Sequence, residues 1–488
     1  MTPKPTAQTI VLTPETTPGH VHAPNLTSES ATLTSQLLTL NHKLYHTRWQ
    51  DTFHNHLTHH LLALWSLGAT PAEIQDMWEY NKGYQGPIEK QPSTDAGSGL
   101  NLKDPAVFAQ CLGDDDRYLD FLRFFEEEIH TKGMETVVIE YLFQGDERAD
   151  DILGRMFTDL VHPIIHLGCG IEFQQPALVA EALAGACVHV NWPKTFLLAT
   201  EAHVQESAAN SRPIPSRSLL EVLETLRNDP IIGNGVKAND PFNKIPDGFL
   251  QRVSAAQLAP HLGQFQVPRD DAAELHRKAA QMMYTTAYML GAAQQPGKHE
   301  ALDFVTLHCV TLAVFFPAFL AQDWLANAHK ARLLEATARV AAVMYAGCAC
   351  PPLYPERIRT YVPRHPADGW PELFHRAVVY RDEGHAAKLI RALYSLEALE
   401  HPPPADFPVT REDFRRVAHL AMDSIERAMD EKEGNRLPEQ VARGVVQRMG
   451  PAGEMVVGNM TRWLFYGGLP GAWDKVPASR KGMDLAQV

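Results

Sequence analysis

The sequence predicts an all-α fold: an irregular multi-helix bundle with long loops, closed as a single compact unit. Three observations predict it. Apolar residues recur at helical spacing through almost all of the 488 residues, and the alternation that marks a strand is almost nowhere found. A hydrophobic fraction of 45% beside 21% charged residues is ordinary for a soluble globular chain, and at this length one continuous core can be buried. The periodicity is interrupted by polar or Pro-, Gly-, Ser- and Asn-rich stretches at 82–103, 207–218, 228–248, 351–369 and 402–404, which read as long loops and not as domain linkers.

In order along the chain, residues 1–30 are rich in Thr and Pro and read as an extended arm. They lack the basic stretch and apolar run of a secretory signal. Amphipathic helices are predicted over 31–47, 51–68, 71–81, 116–130, 133–143, 147–160, 175–189, 193–206 and 218–227. More follow over 268–291, 299–326, 328–346, 370–399, 410–433, 437–449 and 453–466. The helical domain thus occupies 31–470, and 471–488 form a C-terminal tail. The most apolar run, Val310 to Ala321, is too short to cross a bilayer and holds Pro317, which suits a kinked core helix. No membrane anchor is expected, and the predicted location is cytoplasmic.

Acidic residues outnumber basic ones, 58 to 44, which argues against a nucleic-acid surface and leaves small molecules as partners. Oligomeric state is left open. The six cysteines show neither paired CxxC units nor a dense disulfide framework, and read as reduced thiols. Cys348 and Cys350 read as packing before the turn at Pro351 and Pro352. The 23 histidines cluster, which points to metal or proton-transfer chemistry.

Four segments carry that chemistry. In the helix opening at Asp382-Glu383-Gly384-His385, the residues Leu389, Ala392, Leu393, Leu396 and Leu399 fall within roughly 80° of His385 at about 100° per residue. Lys388 lies about 60° to one side of His385, so an ammonium is aimed inward. It needs a buried acid such as Glu172, or an unusual chemical state. In Phe53-His54-Asn55-His56-Leu57-Thr58-His59-His60, a helical wheel places His60 on the apolar face, His54 and His56 on its two flanks and His59 pointing away. His56 and His60 stack one turn apart, a usual way to present two imidazoles to one ion. In His162-Pro163-Ile164-Ile165-His166-Leu167-Gly168-Cys169-Gly170, Pro163 starts or kinks a helix and the glycines turn tightly after His166. The GxG there has no preceding strand and no third glycine, so it is not a dinucleotide fingerprint. His308 is a lone histidine on a strongly apolar helix, for which a core imidazole bonded to a carbonyl is the plainer reading. Together the segments offer four imidazoles and one lysine from separate helices, and bundles build metal sites from facing helices in this way. If the Lys388 amine were neutral it could take up CO2, and the carbamate would be an oxygen ligand. Such a donor set suits iron(II), with a position left for dioxygen.

At these segments the chain resembles the questin oxidase-like family of fungal secondary metabolism. The strings are FHNHLTHHLLALWSLGATP (53–71), HPIIHLGCGIEFQQPALVAEALA (162–184), DFVTLHCVT (303–311) and DEGHAAKLIRAL (382–393), and the resemblance spans about residues 30 to 465. It implies an oxygenase, of Baeyer-Villiger or dioxygenase type, that opens the central ring of an anthraquinone to a benzophenone-type product. It also implies iron held by four histidines and a carboxylated lysine. Those roles carry onto His385, Lys388, His308 and His166, while in the first string the wheel favours His60, with His56 as runner-up. His56 and His162 are then candidates for orienting ligands or moving a proton from a substrate phenol. Family descriptions also imply NADPH, but no nicotinamide motif is present, nor GxGxxG or the FxGxxxHxxxWP signature of flavin Baeyer-Villiger enzymes. The alternatives are a metal-dependent hydrolase using histidines and a carboxylated lysine, and a non-catalytic helical binding protein. The first lacks an HD dipeptide or an HxH followed by Asp in the histidine strings; the second would leave the histidines as packing residues.

Overall fold

A computed structural model describes residues 4–49, 53–88, 100–430, 436–437 and 439–479, and it is all-α. Among the described residues the only sheet is a two-residue antiparallel ladder, Arg48–Trp49 against Phe53–His54. The chain divides into two compact helical units. One comprises Met1–Lys194, Phe315–Lys330 and Val378–Arg391, and the other Thr195–Val314, Ala331–Ala377 and Ala392–Val488. No helix among the described residues is long and apolar enough to cross a membrane. All six cysteines are unpaired and buried.

In the first unit the N-terminal arm is packed down. Val11 exchanges two hydrogen bonds with the Gln175 side chain, both 2.9 Å, and Ile10, Leu12, Val21 and Ala23 are buried. The first helix starts at Ser28, where the Thr27 hydroxyl accepts from Ser30 N. The single helix predicted over 51–68 is corrected: residues 53–54 pair in the ladder, and the helix runs only over Leu57–Ser66. Asn55 is the reason. Its backbone N donates to the Thr47 carbonyl, closing the ladder, while its Oδ1 accepts from Leu57 N at 3.0 Å and its Nδ2 donates to Asn41 Oδ1 at 2.9 Å. An Asn side chain bonded two residues ahead competes with helix and delays its start. His54 therefore lies on a strand and His56 at the N-cap, and only His59 and His60 ride on the helix.

The helix predicted over 147–160 is likewise divided. Glu147–Met156 is followed by Thr158–Glu172, inside which Asp159, Leu160 and Val161 take left-handed φ of 45°, 55° and 59°. Regular helix resumes at His162, so Pro163 sits in a first turn where its missing N–H is not needed. Thr158–Glu172 packs closely on Pro176–Val188; a Cβ on Gly170 would stand 2.7 Å from Val179 Cγ2. The span 370–399 is also two helices, Trp370–Val379 and His385–Ser395. Asp382 ends the break by accepting from Gly384 N at 2.6 Å and Ala386 N at 2.9 Å. Gly384 has φ +98°, and a Cβ there would lie 2.5 Å from His60 Cγ.

In the second unit, helix Ala272–Ala292 packs against Phe304–Ala313, the helix that carries His308. Buried Asp303 opens the latter, accepting from Val305 N, Thr306 N and Gly467 N at 2.8 to 3.0 Å. The predicted helix 299–326 thus becomes two, the second being Phe316–Leu320, with Pro317 in its first turn, which belongs to the first unit.

Candidate metal centre among the buried histidines

Within the first unit, the Asn55 turn and the left-handed turn at 159–161 aim His56 and His162 at each other. Their Nε2 atoms are 2.8 Å apart. His385 stands edge-on to His56, with ring centroids 4.9 Å apart and planes at 73°. Two of these rings are anchored through the other nitrogen: His162 Nδ1 donates to the Asp159 carbonyl at 2.5 Å, and His385 Nδ1 to Glu383 Oε1 at 2.6 Å. A carbonyl can only accept, so the neutral His162 ring carries its proton on Nδ1 and its lone pair on Nε2. That is the tautomer and the kind of outer partner found behind metal-bound histidines. Neighbouring donors around a six-coordinate ion with bonds of about 2.1 Å stand about 3 Å apart, close to the observed spacing.

Burial, followed by the Lys388 amine, pushes His56 and His385 far below the ordinary imidazole range, and pushes His60 to about 3. Burial and neighbouring imidazoles, His166 foremost, do the same to His59. These rings are neutral at any working pH, which metal ligation requires. Burial also lowers Lys388, to about 8, against the opposing pull of Glu383 and Asp382. Neither acid forms an ion pair with it among the described residues. Glu383 Oε1 is taken by His385, and the Asp382 oxygens cap the helix. Glu172, the buried acid considered for Lys388, instead pairs with Arg391 and accepts from His20 N at 2.6 Å.

The other candidate ligands are placed differently. His60 Nδ1 has a 3.5 Å contact with the Asn81 amide, whose hydrogens also go to the Met77 and Asp382 carbonyls, and His60 Nε2 forms no hydrogen bond among the described residues. His166 uses Nε2 to reach Glu181 Oε2 at 2.6 Å, so a metal would have to be bound at Nδ1, which lies 3.2 Å from His59 Nε2. His308 belongs to the second unit, where it is fully buried and its Nδ1 donates to the Phe304 carbonyl at 2.7 Å. The sequence reading missed His42, Glu181, Asp159 and His189. His59, read as pointing outward, is buried.

Glu181 also accepts from His42 Nδ1 at 2.7 Å, and His42 Nε2 meets Glu126 Oε1 at 2.9 Å. Burial opposes charge on His42, but the two carboxylates prevail and raise it to about 9. Its folded value lies above the unfolded 6.5, so its stabilisation is complete below pH 6.5 and is lost as pH rises through about 9. That shift corresponds to about 3 kcal/mol. Thermal melts should show the protein less stable at pH 10 than at pH 6, and His42→Gln should flatten that difference; an equal alkaline loss in the variant would refute the assignment.

A family model for questin oxidase-like proteins matches residues 53–393. The chain belongs to the questin oxidase-like family. It is 43% identical over 472 residues to oxidoreductase AflY of Aspergillus parasiticus, covering 96% of this chain and 93% of that protein. It is 34% identical to Baeyer-Villiger oxidase ptaJ of Pestalotiopsis fici, over 80% of this chain and 87% of the relative. Questin oxidase of Aspergillus terreus is 33% identical over 82% of this chain and 89% of its own. The family relationship makes this chain an oxidoreductase of the oxygenase class. All the histidine pairs described above fall within the matched span except His42.

Proposed function

We propose that the chain is a non-heme iron oxygenase that opens the central ring of a hydroxylated anthraquinone-type polyketide, giving a benzophenone-type product in fungal secondary metabolism. The observation that carries the metal reading is the pair of imidazole Nε2 atoms 2.8 Å apart, with the His162 lone pair set by its bond to Asp159. The relatives named questin oxidase and Baeyer-Villiger oxidase supply the reaction class.

The residues that would hold iron(II) are His56, His162 and His385, each through Nε2, with carboxylated Lys388. His308, a ligand by the family resemblance, lies in the second unit, where its bond to the Phe304 carbonyl makes Nε2 the nitrogen that would ligate. His60 and His166, ligands by the wheel and the resemblance, are reassigned: His60 packs against Gly384, and His166 holds His59 through a carboxylate-backed contact. Bound iron would supply the activation of O2, which no side chain here can supply. The chain's own contribution is geometry and dryness. Asp159 and Glu383 fix the rings of His162 and His385, and the burial of His59, His60, His162 and His385 keeps water from the centre. Burial lowers Lys388 and so favours its neutral form, and a neutral amine can add CO2, forming the N–C bond and releasing one proton. NADPH, which the resemblance brings with it, has no residues assigned to it in this reading.

The test is oxygen uptake. Protein reconstituted with iron(II) under bicarbonate should consume O2 with a hydroxylated anthraquinone or its hydroquinone, and place labelled oxygen in a ring-opened product. Active protein without stoichiometric metal, or a loaded protein inert to both substrate forms, would overturn the proposal.

A further inference from the structure

A second cluster in the first unit is not used by the reaction above. His54 Nε2, His189 Nε2 and Asp159 Oδ2 converge, with separations of 3.2 Å between the imidazole nitrogens, 3.4 Å from His189 to the carboxylate and 3.7 Å from His54 to it. Three donors on one face of a tetrahedral ion with bonds of about 2.0 to 2.1 Å stand about 3.4 Å apart. The observed triangle is close to that face.

The protons do not satisfy this arrangement. His189 Nδ1 donates to the Gly185 carbonyl, so the neutral ring presents a lone pair at Nε2 to another lone-pair atom, the carboxylate oxygen. Asp159 Oδ2 accepts no hydrogen bond among the described residues, although it is buried. Arg48 Nε approaches the same oxygen at 3.3 Å and offsets its charge, and Arg48 is shared with Asp115 at 3.1 Å. One proton on His54 cannot serve both His189 and Asp159 at these distances. A cation can. A small cavity of about 10 Å³, the size of one water or one ion, lies among His54, His59, His162, His166 and His189.

We propose that His54, His189 and Asp159 form a binding site for a borderline divalent cation of the zinc class, with solvent as fourth ligand. Two imidazoles and one carboxylate are a donor set suited to such an ion. Its place explains a use for it. His54 stacks on His162 at 4.1 Å with planes 6° apart, and the Asp159 carbonyl accepts from His162 Nδ1. An ion here would pin the left-handed turn at Asp159 and, through it, the orientation of His162. The site stands on these contacts alone and not on the proposed reaction.

Cobalt(II) titration of the demetallated full chain tests it, because tetrahedral cobalt gives intense visible bands and six-coordinate cobalt only weak ones. The expected result is one equivalent of tetrahedral cobalt, lost in both His189→Ala and Asp159→Asn and retained in His385→Ala. Asp159→Asn keeps the shape of the side chain, and a melt confirms that it folds. Absence of the bands in the wild type, or their persistence in both variants, would overturn the site; their loss in His385→Ala instead would assign them to the other centre.

Discussion

Replacing His56 or His162 by alanine is expected to lower kcat/KM by about 10³-fold or more and to remove iron from the purified protein, whereas His60→Ala should keep the metal and lose about tenfold at most. A thousandfold loss is about 4 kcal/mol of transition-state stabilisation, the scale expected when a ligand and not a wall residue is removed. The contrast rests on geometry. His56 and His162 face each other through Nε2, and His162 is tied back through Nδ1. His60 Nε2 forms no hydrogen bond, and no other imidazole is in ring contact or hydrogen-bond distance of His60 among the described residues, its Nδ1 meeting only the Asn81 amide at 3.5 Å. Iron content by elemental analysis and single-turnover O2 uptake on the three variants check it together. Intact iron in His56→Ala with loss in His60→Ala would return the ligand role to His60, and the present reading of the first string would fall.

That contrast also shows where the sequence was legible. The inward aim of Lys388 was readable because His385–Ser395 is regular helix from its first residue, so the wheel holds from His385 to Leu393, and only Leu396 and Leu399 fall beyond it, in a 3-10 turn and its cap. The same wheel misplaced the first string, because it was begun at Phe53, and residues 53–56 are ladder and turn. A two-residue ladder leaves no periodicity to read, and the side-chain bonds of Asn55 that stop the helix look in sequence like any polar residue. His162 was seen but its aim at His56 was not, since nothing in Asp159-Leu160-Val161 announces three left-handed residues; such φ is unusual outside glycine. His189, the last residue of the helix predicted over 175–189, is instead the extended C-cap of Pro176–Val188, so its direction does not follow helical spacing. His42 and Glu181 lie on helices far apart in sequence, and each reads alone as a polar residue on an apolar face. All-α architecture was legible; the partners of buried polar groups were not, because they are set by turns and by long-range contacts.

Lys388 gives the second large effect. Lys388→Ala and Lys388→Met are both expected to lose activity by at least about 10²-fold, the first recovering part of it in millimolar acetate or propionate and the second not. Alanine leaves room into which a small carboxylate can bring the oxygen that the carbamate would have supplied, and methionine fills that room with an apolar chain. An ammonium acting only as a charge predicts the opposite, since an added anion would not replace it. The pH dependence follows from the value near 8. Below it the neutral fraction falls about tenfold per unit, so in CO2-free buffer the reformation of the carbamate slows as pH falls, and bicarbonate should restore activity more slowly at pH 6 than at pH 8. Glu172 pairs with Arg391, Glu383 Oε1 meets His385 and the Asp382 oxygens accept from backbone N–H groups, and none of the three forms an ion pair with Lys388 among the described residues. Burying an amine under these conditions is unfavourable unless its charge is removed, and reaction with CO2 both removes the positive charge and creates the anion that a cluster of neutral imidazoles around a divalent ion lacks. Intact mass without the addition of one CO2, combined with activity indifferent to bicarbonate, would leave Lys388 an ammonium and take the carbamate out of the centre.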